Sequence, residues 1–387
     1  MATKNVGTDP RKEVRIGMLG CGFMGKCHSN AYRKIPYIYP AANVMPRLVL
    51  LCDKDEKKVE REAIRYGFER YTTDWHDLAS DPAIDVVDNC GPDPIHPDPC
   101  IAALESGKHV IAEKPMAVSV ADARRMRDAA AKAGGKAACT FNYRFMPAVR
   151  LAKDLIGSGK VGRIYHLRVQ YLQMAGHDPS LTPEQAWYSA WPHSGGLQGI
   201  GSHAIDQARF LVGEITSVSA LVRAFNKDRA IRSAADPSAW ADEGTAALLD
   251  FDSGAIGVLE SSVVATGRKN YMAWEINGSK GSLRWDLEHP NSLFVCQAEN
   301  PDNATFGFTE VNVTESFHPY AGAWWPSGHN IGWEHCHIIE KFHFLDAVAN
   351  NKPSPYNATF EDGYRVAVII EAMRQSSQSG QRVPISY

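Results

Sequence analysis

The stretch Gly20-Cys21-Gly22-Phe23-Met24-Gly25 follows the apolar run Val14 to Leu19, so a glycine fingerprint stands at the end of a strand. Gly20 permits a tight strand-to-helix turn, Gly22 lets a pyrophosphate approach the backbone, and Gly25 lets the next helix pack closely on the sheet. That chemistry is dinucleotide binding, with Phe23 and Met24 in the helical turn whose free N–H groups face the phosphates. A second apolar run, Arg47 to Cys52, ends in Asp53. A carboxylate there accepts hydrogen bonds from an adenosine ribose, which favours NAD over NADP; the other reading of Asp53 is an N-cap for the following helix. Asp53 lies 28 positions beyond Gly25, against roughly 20 in the usual fingerprint. The excess predicts an insertion around Pro36, Pro40 and Pro46.

Three further constellations bear on chemistry. Ala112-Glu113-Lys114-Pro115 follows a strand whose carboxyl end lines the cofactor crevice. A lysine set beside a cationic ring and out of water can lose its proton, then take one from a substrate hydroxyl as hydride leaves the same carbon. Gly195-Gly196-Leu197-Gln198-Gly199-Ile200-Gly201-Ser202-His203-Ala204-Ile205-Asp206 runs from glycine-rich backbone into a helical pattern, with His203 and Asp206 on one face. His203 can move a proton or hydrogen-bond a hydroxyl, or it can be a satisfied core histidine. The run Trp187 to His193, with Trp191 and His193, is echoed by Phe317 to Tyr320 and by Trp324-Trp325-Pro326-Ser327-Gly328-His329. Such aromatics suit either a sugar, with its apolar C–H faces and hydroxyl rim, or an aromatic core or subunit interface.

The elements that must position these residues are legible as patterns. At 387 residues the chain calls for two domains. Strand and helix signals alternate over the first 140 residues, as in a doubly wound parallel sheet. Ile84 to Asp88, Lys108 to Ala112 and Lys136 to Phe141 read as strands; Asp98-Pro99 opens a helix closed by Gly107, and Ser119 to Asp122 is a capping box for a helix ending at Gly134-Gly135. After Pro147 to Ser158, an amphipathic helix, two-residue alternation dominates, as in Ile164 to Tyr171. Ala246 to Phe251 and Ala255 to Ser261 flank Asp252-Ser253-Gly254 as a hairpin, and Ala273 to Asn277 and Leu283 to Asp286 read as later strands. The expected organisation is a loose tail over 1–12, an α/β Rossmann domain over 13–145, and an α+β domain over 146–387. The second domain is expected to have an open, mostly antiparallel sheet through which a homodimer or homotetramer assembles.

A net charge of −3 with 22% charged residues gives no electrostatic reason to expect nucleic acid or an anionic membrane as partner. No apolar run approaches 18 residues and no secretory segment is evident, which predicts a soluble cytoplasmic protein. The eight cysteines contain no CxxC pair and suit buried thiols in a reducing compartment, with no metal site expected.

Together the fingerprint, Gly91-Pro92-Asp93-Pro94-Ile95-His96, Gly107-Lys108-His109-Val110, Glu113-Lys114-Pro115, Asn142-Tyr143-Arg144-Phe145 and Gly201-Ser202-His203 resemble the Gfo/Idh/MocA family of NAD(P)-dependent oxidoreductases along almost the whole chain. The resemblance implies a catalytic Lys114 with His203 as its partner and a cis bond before Pro115. It also implies Asp93, Pro94 and His96 near the nicotinamide, Glu113 on the nicotinamide ribose, and Asn142 and Arg144 at the substrate. Two positions depart from the family pattern. Asp93 stands where an Asn is usual, and Gly199 stands where an Asp precedes the histidine by four. His193 and Asp178 are candidates to complete the proton relay; alternatively Lys114 and His203 suffice. The segment Gln173 to His193 and the Trp324-Trp325 loop resemble those of members acting on free sugars, anhydrosugars or glycosides, and no basic cluster suggests a phosphate pocket. The implied reaction is hydride transfer between NAD and a secondary hydroxyl, at C3 in one version. The alternatives are a redox-neutral enzyme that keeps NAD bound, passing hydride between sugars or cleaving a glycoside after transient oxidation, and a catalytically silent NAD or sugar sensor.

Overall fold

Burial along β1 (Glu13–Leu19) is nearly continuous, the mark of a strand covered on both faces. In the computed structural model, which describes residues 9–178, 180, 195–226, 241–298 and 304–387, β1 is followed by the alternation that the sequence predicts. The elements are α1 (Phe23–Ile38), β2 (Met45–Cys52), α2 (Glu56–Tyr66), β3 (Arg70–Thr72), α3 (His76–Ser80), β4 (Val86–Asn89), α4 (Pro97–Glu105), β5 (His109–Ala112), α5 (Val120–Lys132) and β6 (Ala137–Cys139). The strands lie in the order β6-β5-β4-β1-β2-β3, all parallel, so the sheet reverses its winding beside β1. Ser119 caps α5 by accepting the Asp122 N–H at 3.1 Å. The predicted insertion takes a different form: Pro36 lies inside the 16-residue α1 and Pro46 inside β2, so the extra length is mostly helix. Pro46 is tolerated because β3 pairs only with the far half of β2, from Leu50 onward. Of the expected tail, residues 1–8 lie outside the described residues, while Lys12 already pairs, its carbonyl accepting the Met45 N–H at 2.7 Å.

The chain then runs through α6 (Pro147–Gly157), β7 (Ile164–Leu172), α7 (Ser202–Leu211), β8 (Ile215–Arg223), β9 (Gly244–Phe251), β10 (Ile256–Ser262), β11 (Tyr271–Gly278), β12 (Gly281–Asp286), β13 (Ser292–Gln297) and β14 (Thr309–Asn312). It closes with α8 (Trp333–Ala349), β15 (Ala358–Thr359), α9 (Phe360–Ser379) and β16 (Val383–Pro384). A nine-stranded sheet has the order β14-β13-β12-β11-β7-β10-β9-β8-β16. Its pairs are antiparallel except β7 with β10, so it is mixed. β9 alternates buried and open positions and turns into β10 through Asp252-Ser253-Gly254, the predicted hairpin. One face of the sheet, including Leu167, Val169, Leu249 and Leu259, is buried with α7 and α9 residues such as Ile205 and Ile369 in a single core. The other face leaves Leu221, Leu248, Ile256 and Val258 exposed.

The last 60 or so residues return to the first sheet. β15 pairs antiparallel with β6, and α8 lies along α1, where Phe342 stacks on Tyr39 at 3.7 Å between ring centroids and Asn30 donates to Glu334 at 2.7 Å. Among the described residues no helix is long and apolar enough to cross a membrane.

The turn from β1 into α1 has no room for a side chain: a Cβ on Gly25 would lie 2.1 Å from the Gly20 carbonyl oxygen. Gly25→Ala is therefore expected to push α1 off the sheet and destabilise the protein by more than about 2 kcal/mol. Thermal melts alongside NADH-fluorescence titration check this, and a wild-type melting temperature with unchanged NADH affinity would refute it.

Candidate active site

A cavity of about 1050 Å³ opens at the carboxyl ends of β1, β2, β4 and β5 and extends to the second sheet. Its first half fits a dinucleotide. Gly20 takes φ +94, and its N–H is held by the Cys52 carbonyl at 2.8 Å. A Cβ on Gly22 would meet nothing within 4 Å, so the backbone there is bare toward the cavity. Phe23 and Met24, in the first turn of α1, also line it. Asp53 stands just past β2, where Oδ2 accepts the Cys21 N–H at 3.1 Å and faces Lys58 Nζ at 3.3 Å. Burial pushes this carboxyl up, but the Cys21 hydrogen bonds and the Lys58 ammonium outweigh it and keep Asp53 ionised. An ionised acceptor at the adenosine end is what a ribose diol needs.

Lys114 and His203 both line the second half. The Lys114-Pro115 bond is cis, as the resemblance implies. Lys114 Nζ donates to the Gly199 carbonyl at 3.0 Å, out of a π-turn, Leu197–Gly201, that leads directly into α7. π-turns of this kind are frequent at functional sites. His203 is the second residue of α7 and sits among rings, 4.7 Å from Tyr143 and 5.8 Å from Phe141 and Tyr171 by centroids. Burial, reinforced by the Lys114 charge, holds its pKa well below the usual histidine value, so the ring is neutral.

Behind Lys114 lies a buried charge chain. Glu113 takes the Lys114 backbone N–H on Oε2 at 3.1 Å and the His28 ring on Oε1 at 3.0 Å. The other His28 nitrogen meets Asp88 at 2.9 Å, and the Tyr32 hydroxyl donates to the same Asp88 oxygen at 2.7 Å. Burial alone would discharge His28, but the two carboxylates overcome it and raise its pKa, while His28 in turn lowers theirs against burial. His28, Asp88 and Cys90 lie close enough together to hold a metal ion. The separation of 2.9 Å between His28 Nδ1 and Asp88 Oδ2 is that of a hydrogen bond, which accounts for the trio.

Several predicted site residues fall elsewhere. Asp93 and Asn142 line the cavity, but Pro94 does not. His96 is fully buried behind the wall, its ring bridging the carbonyls of Pro115 and Gly91, both of which line the cavity, at 3.1 and 2.9 Å. Arg144 does not border the cavity: its guanidinium is spent on Asp206, at 2.5 and 2.9 Å, and lies 3.5 Å from Asp362. That pairing also takes Asp206 away from His203. Trp325 is half exposed outside the cavity, and its neighbour Trp324 packs on His335 and Tyr39. Asp178 accepts from Ser180 N and Oγ within its own turn and does not line the cavity. Trp191 and His193 lie outside the described residues. All eight cysteines are free.

Other cavity residues carried no motif of their own in the sequence. Tyr171, Gln173 and Asn270 join around Asn270 Oδ1, which accepts from the Tyr171 hydroxyl at 2.8 Å and from Gln173 Nε2 at 2.7 Å. This is a polar rim of the kind that reads hydroxyls. Trp333, at the start of α8, stacks on Phe23 at 5.5 Å and 12° across the cleft. One turn on, His337 lines the same cavity.

Known proteins match this arrangement. The NAD-binding Rossmann fold of the oxidoreductase family GFO/IDH/MocA matches residues 14–141, and the GFO/IDH/MocA C-terminal domain matches residues 149–284. A levoglucosan dehydrogenase of Pseudarthrobacter phenanthrenivorans is 34% identical over 380 residues, covering 95% of this chain and 96% of that protein. A D-glucoside 3-dehydrogenase of Escherichia coli is 28% identical, covering 96% and 97%. A levoglucosan dehydrogenase solved in complex with NADH and levoglucosan superposes with a TM-score of 0.89 at 34% identity, over 97% of this chain and 100% of that one. An oxidoreductase domain protein from Kribbella flavida gives 0.89 at 37% identity, with the same coverage.

His337 is almost fully buried, and among the described residues neither ring nitrogen has a hydrogen-bond partner. Burial, then the charges of Lys341, His28 and Lys114, push its pKa well below the usual value. The unfolded chain therefore takes a proton near pH 6.5 that the folded one refuses, so this contribution is intact above that pH and is lost as pH falls below it. Removing the ring by His337→Phe is expected to lessen the acid dependence of stability by about 1.4 kcal/mol per pH unit between roughly pH 6 and 5. Urea melts of both proteins at several pH values measure it; parallel slopes would count against the neutral ring.

Proposed function

The chain belongs to the Gfo/Idh/MocA oxidoreductases, and from that premise we propose that it transfers a hydride between NAD and a secondary hydroxyl of a neutral sugar, anhydrosugar or glycoside. The observation that carries this reading is the meeting of Lys114, a neutral His203 and the Tyr171–Gln173–Asn270 rim in one cavity, continuous with the glycine fingerprint. Bound NAD supplies the hydride acceptor. In this reading the Lys114 amine takes the proton of the reacting hydroxyl, and the His203 ring hydrogen-bonds the same oxygen and holds it in line. Glu113, buried and ionised, holds the ribose next to the reacting end. Tyr143, Tyr171 and Phe141 wall off the site and keep water from the imidazole. The relatives named for levoglucosan and for carbon 3 of D-glucosides support an anhydrosugar or glucoside substrate.

The exposed face bearing Leu221, Leu248, Ile256 and Val258 is apolar enough to be covered, and we infer that a second copy of the chain covers it. Leu248→Asp with Val258→Asp, cross-strand neighbours on that face, is expected to halve the mass seen by light scattering after gel filtration. A monomeric wild type would remove the inference.

For the reaction itself, the purified protein is scanned at 340 nm with NAD and levoglucosan, methyl glucosides and inositols, with a parallel assay for nucleotide that copurifies. Steady NADH formation with one of them is expected. Stoichiometric bound NAD without net NADH would favour the redox-neutral cycle instead. Lys114→Met is expected to lower kcat by at least ~100-fold while NADH binding stays within a few-fold. Full turnover in that variant would remove Lys114 from its role.

A further inference from the structure

Lys114 Nζ donates to a backbone oxygen, that of Gly199, at the position where the resembled family carries an Asp. The π-turn Leu197–Gly201 explains how a backbone oxygen becomes available. A residue inserted into a helical ladder leaves a carbonyl out of register, and a side-chain donor can take it. The turn is anchored at its start. Asp242, almost fully buried, accepts the Leu197 N–H on Oδ2 at 2.6 Å, and its own carbonyl accepts the Gly196 N–H at 2.7 Å. Gly195 and Asp242 form an isolated parallel bridge, and Gly195 takes φ +137 with so little room that a Cβ would lie 2.3 Å from Asp242 Oδ1. The adjoining Gln198 side chain donates to the Ala117 carbonyl at 2.8 Å, tying the turn to the loop that follows the cis Lys114-Pro115 bond.

We propose that Asp242 is a positioning residue for the hydride-transfer site: it fixes the π-turn whose Gly199 carbonyl orients the Lys114 nitrogen in place of a carboxylate side chain. This rests on Lys114 as the reacting base. A lysine amine has two N–H bonds and one lone pair; with one N–H held by Gly199, the lone pair is confined to directions away from it, toward the cavity. A carbonyl, unlike a carboxylate, does not compete for the proton that the amine collects. The proton removed from the hydroxyl then remains on Lys114 as the third N–H, while the hydride leaves with NAD.

The test uses Asp242→Ala and Asp242→Asn, assayed with NAD and levoglucosan, or with whichever sugar of the panel above is turned over. NADH binding is followed by fluorescence. Asp242→Ala is expected to lower kcat by 30-fold or more with KM and NADH affinity within about 3-fold, because only the orientation of Lys114 is lost. Asp242→Asn is expected to recover most of kcat, since its carboxamide oxygen can accept the same N–H. Wild-type kcat in the Ala variant would overturn the proposal. So would a parallel loss of folding and NADH binding that Asn does not rescue, because that pattern marks a purely structural residue. An activity-free arm follows the titration of Lys114 through its 13Cε chemical shift in protein labelled with 13C-lysine, the signal identified by its absence in Lys114→Arg. Gly199→Asp sets a carboxylate beside it and is expected to move that curve alkaline by about one pH unit or more. An unmoved curve would also overturn the proposal. Retained activity in Lys114→Met would instead show that the base assignment had failed, whatever the Asp242 variants do.

Discussion

The His28 imidazolium, buried between Asp88 and Glu113, is the interaction on which the site depends. It joins three elements at one point: His28 comes from α1, Asp88 from β4, and Glu113 from the first residue after β5. Charges so placed are costly to bury and far more costly to leave unpaired, by about 3–5 kcal/mol when one partner is lost. The helix bearing the fingerprint and the strand ends that border the cavity are therefore fixed together. Glu113 spends its second oxygen on the Lys114 backbone, so the same chain of contacts sets where Lys114 begins. Lys341 extends it from α8: burial lowers its pKa, but Glu340, Asp88 and Glu113 overcome that and keep the ammonium charged.

That reach to α8 explains why the chain returns to its first sheet after completing the second. Without α8, the cavity would lose Trp333 and His337 from its wall, and α1 would lose the stacking of Phe342 on Tyr39. Without β15, the edge of β6 would stand unpaired. The cavity is consequently walled on one side by strand ends of a parallel sheet and on the other by the π-turn, α7 and β7. Gln198 holds these walls in register through Ala117, and Asn142, after β6, ties the parallel-sheet side to α8 through Cys336. A base on one wall and a π-turn carbonyl on the other can meet at hydrogen-bond distance only because the walls are tied in this way.

Features set by local chemistry were legible in the sequence. The fingerprint, the Asp252-Ser253-Gly254 hairpin and the Ser119 cap all follow from what glycine, period-two alternation and a capping hydroxyl do to nearby backbone. Side-chain destinations were not. Arg144 and Asp206 are separated by 62 positions and His28 and Glu113 by 85, and no local pattern says that these pairs meet. The resemblance implies His96 near the nicotinamide, and no local pattern says that its ring is tied to two carbonyls, at the cis Pro115 loop and the Gly91 turn, behind the cavity wall. The tryptophan loop shows the same limit: nothing local says that Trp324 packs on Tyr39 and His335 while Trp325 stays half exposed. Asn270 had no signal at all, and Gln173 only its place at the start of a segment resembling those of sugar-acting members, because an amide in a loop looks alike whether it faces solvent or a cavity.

Position 199 bears on whether a missing motif residue means a missing activity. A glycine where a carboxylate is expected was the one feature that favoured a silent sensor. A carboxylate beside a lysine has two separable roles, to orient the nitrogen and to bias its charge, and only the second requires a negative side chain. Orientation requires an acceptor at hydrogen-bond distance on rigid backbone, and the π-turn supplies one at 3.0 Å. A glycine at 199 is therefore compatible with an oriented lysine, and the loss of the side chain removes a charge without removing the geometry. An abandoned site would be under no constraint to keep the π-turn, its buried Asp242 anchor and a neutral His203 together. Their joint presence weighs against the silent reading, because each one alone costs stability: an irregular helical turn, a buried carboxylate and a histidine kept from its proton.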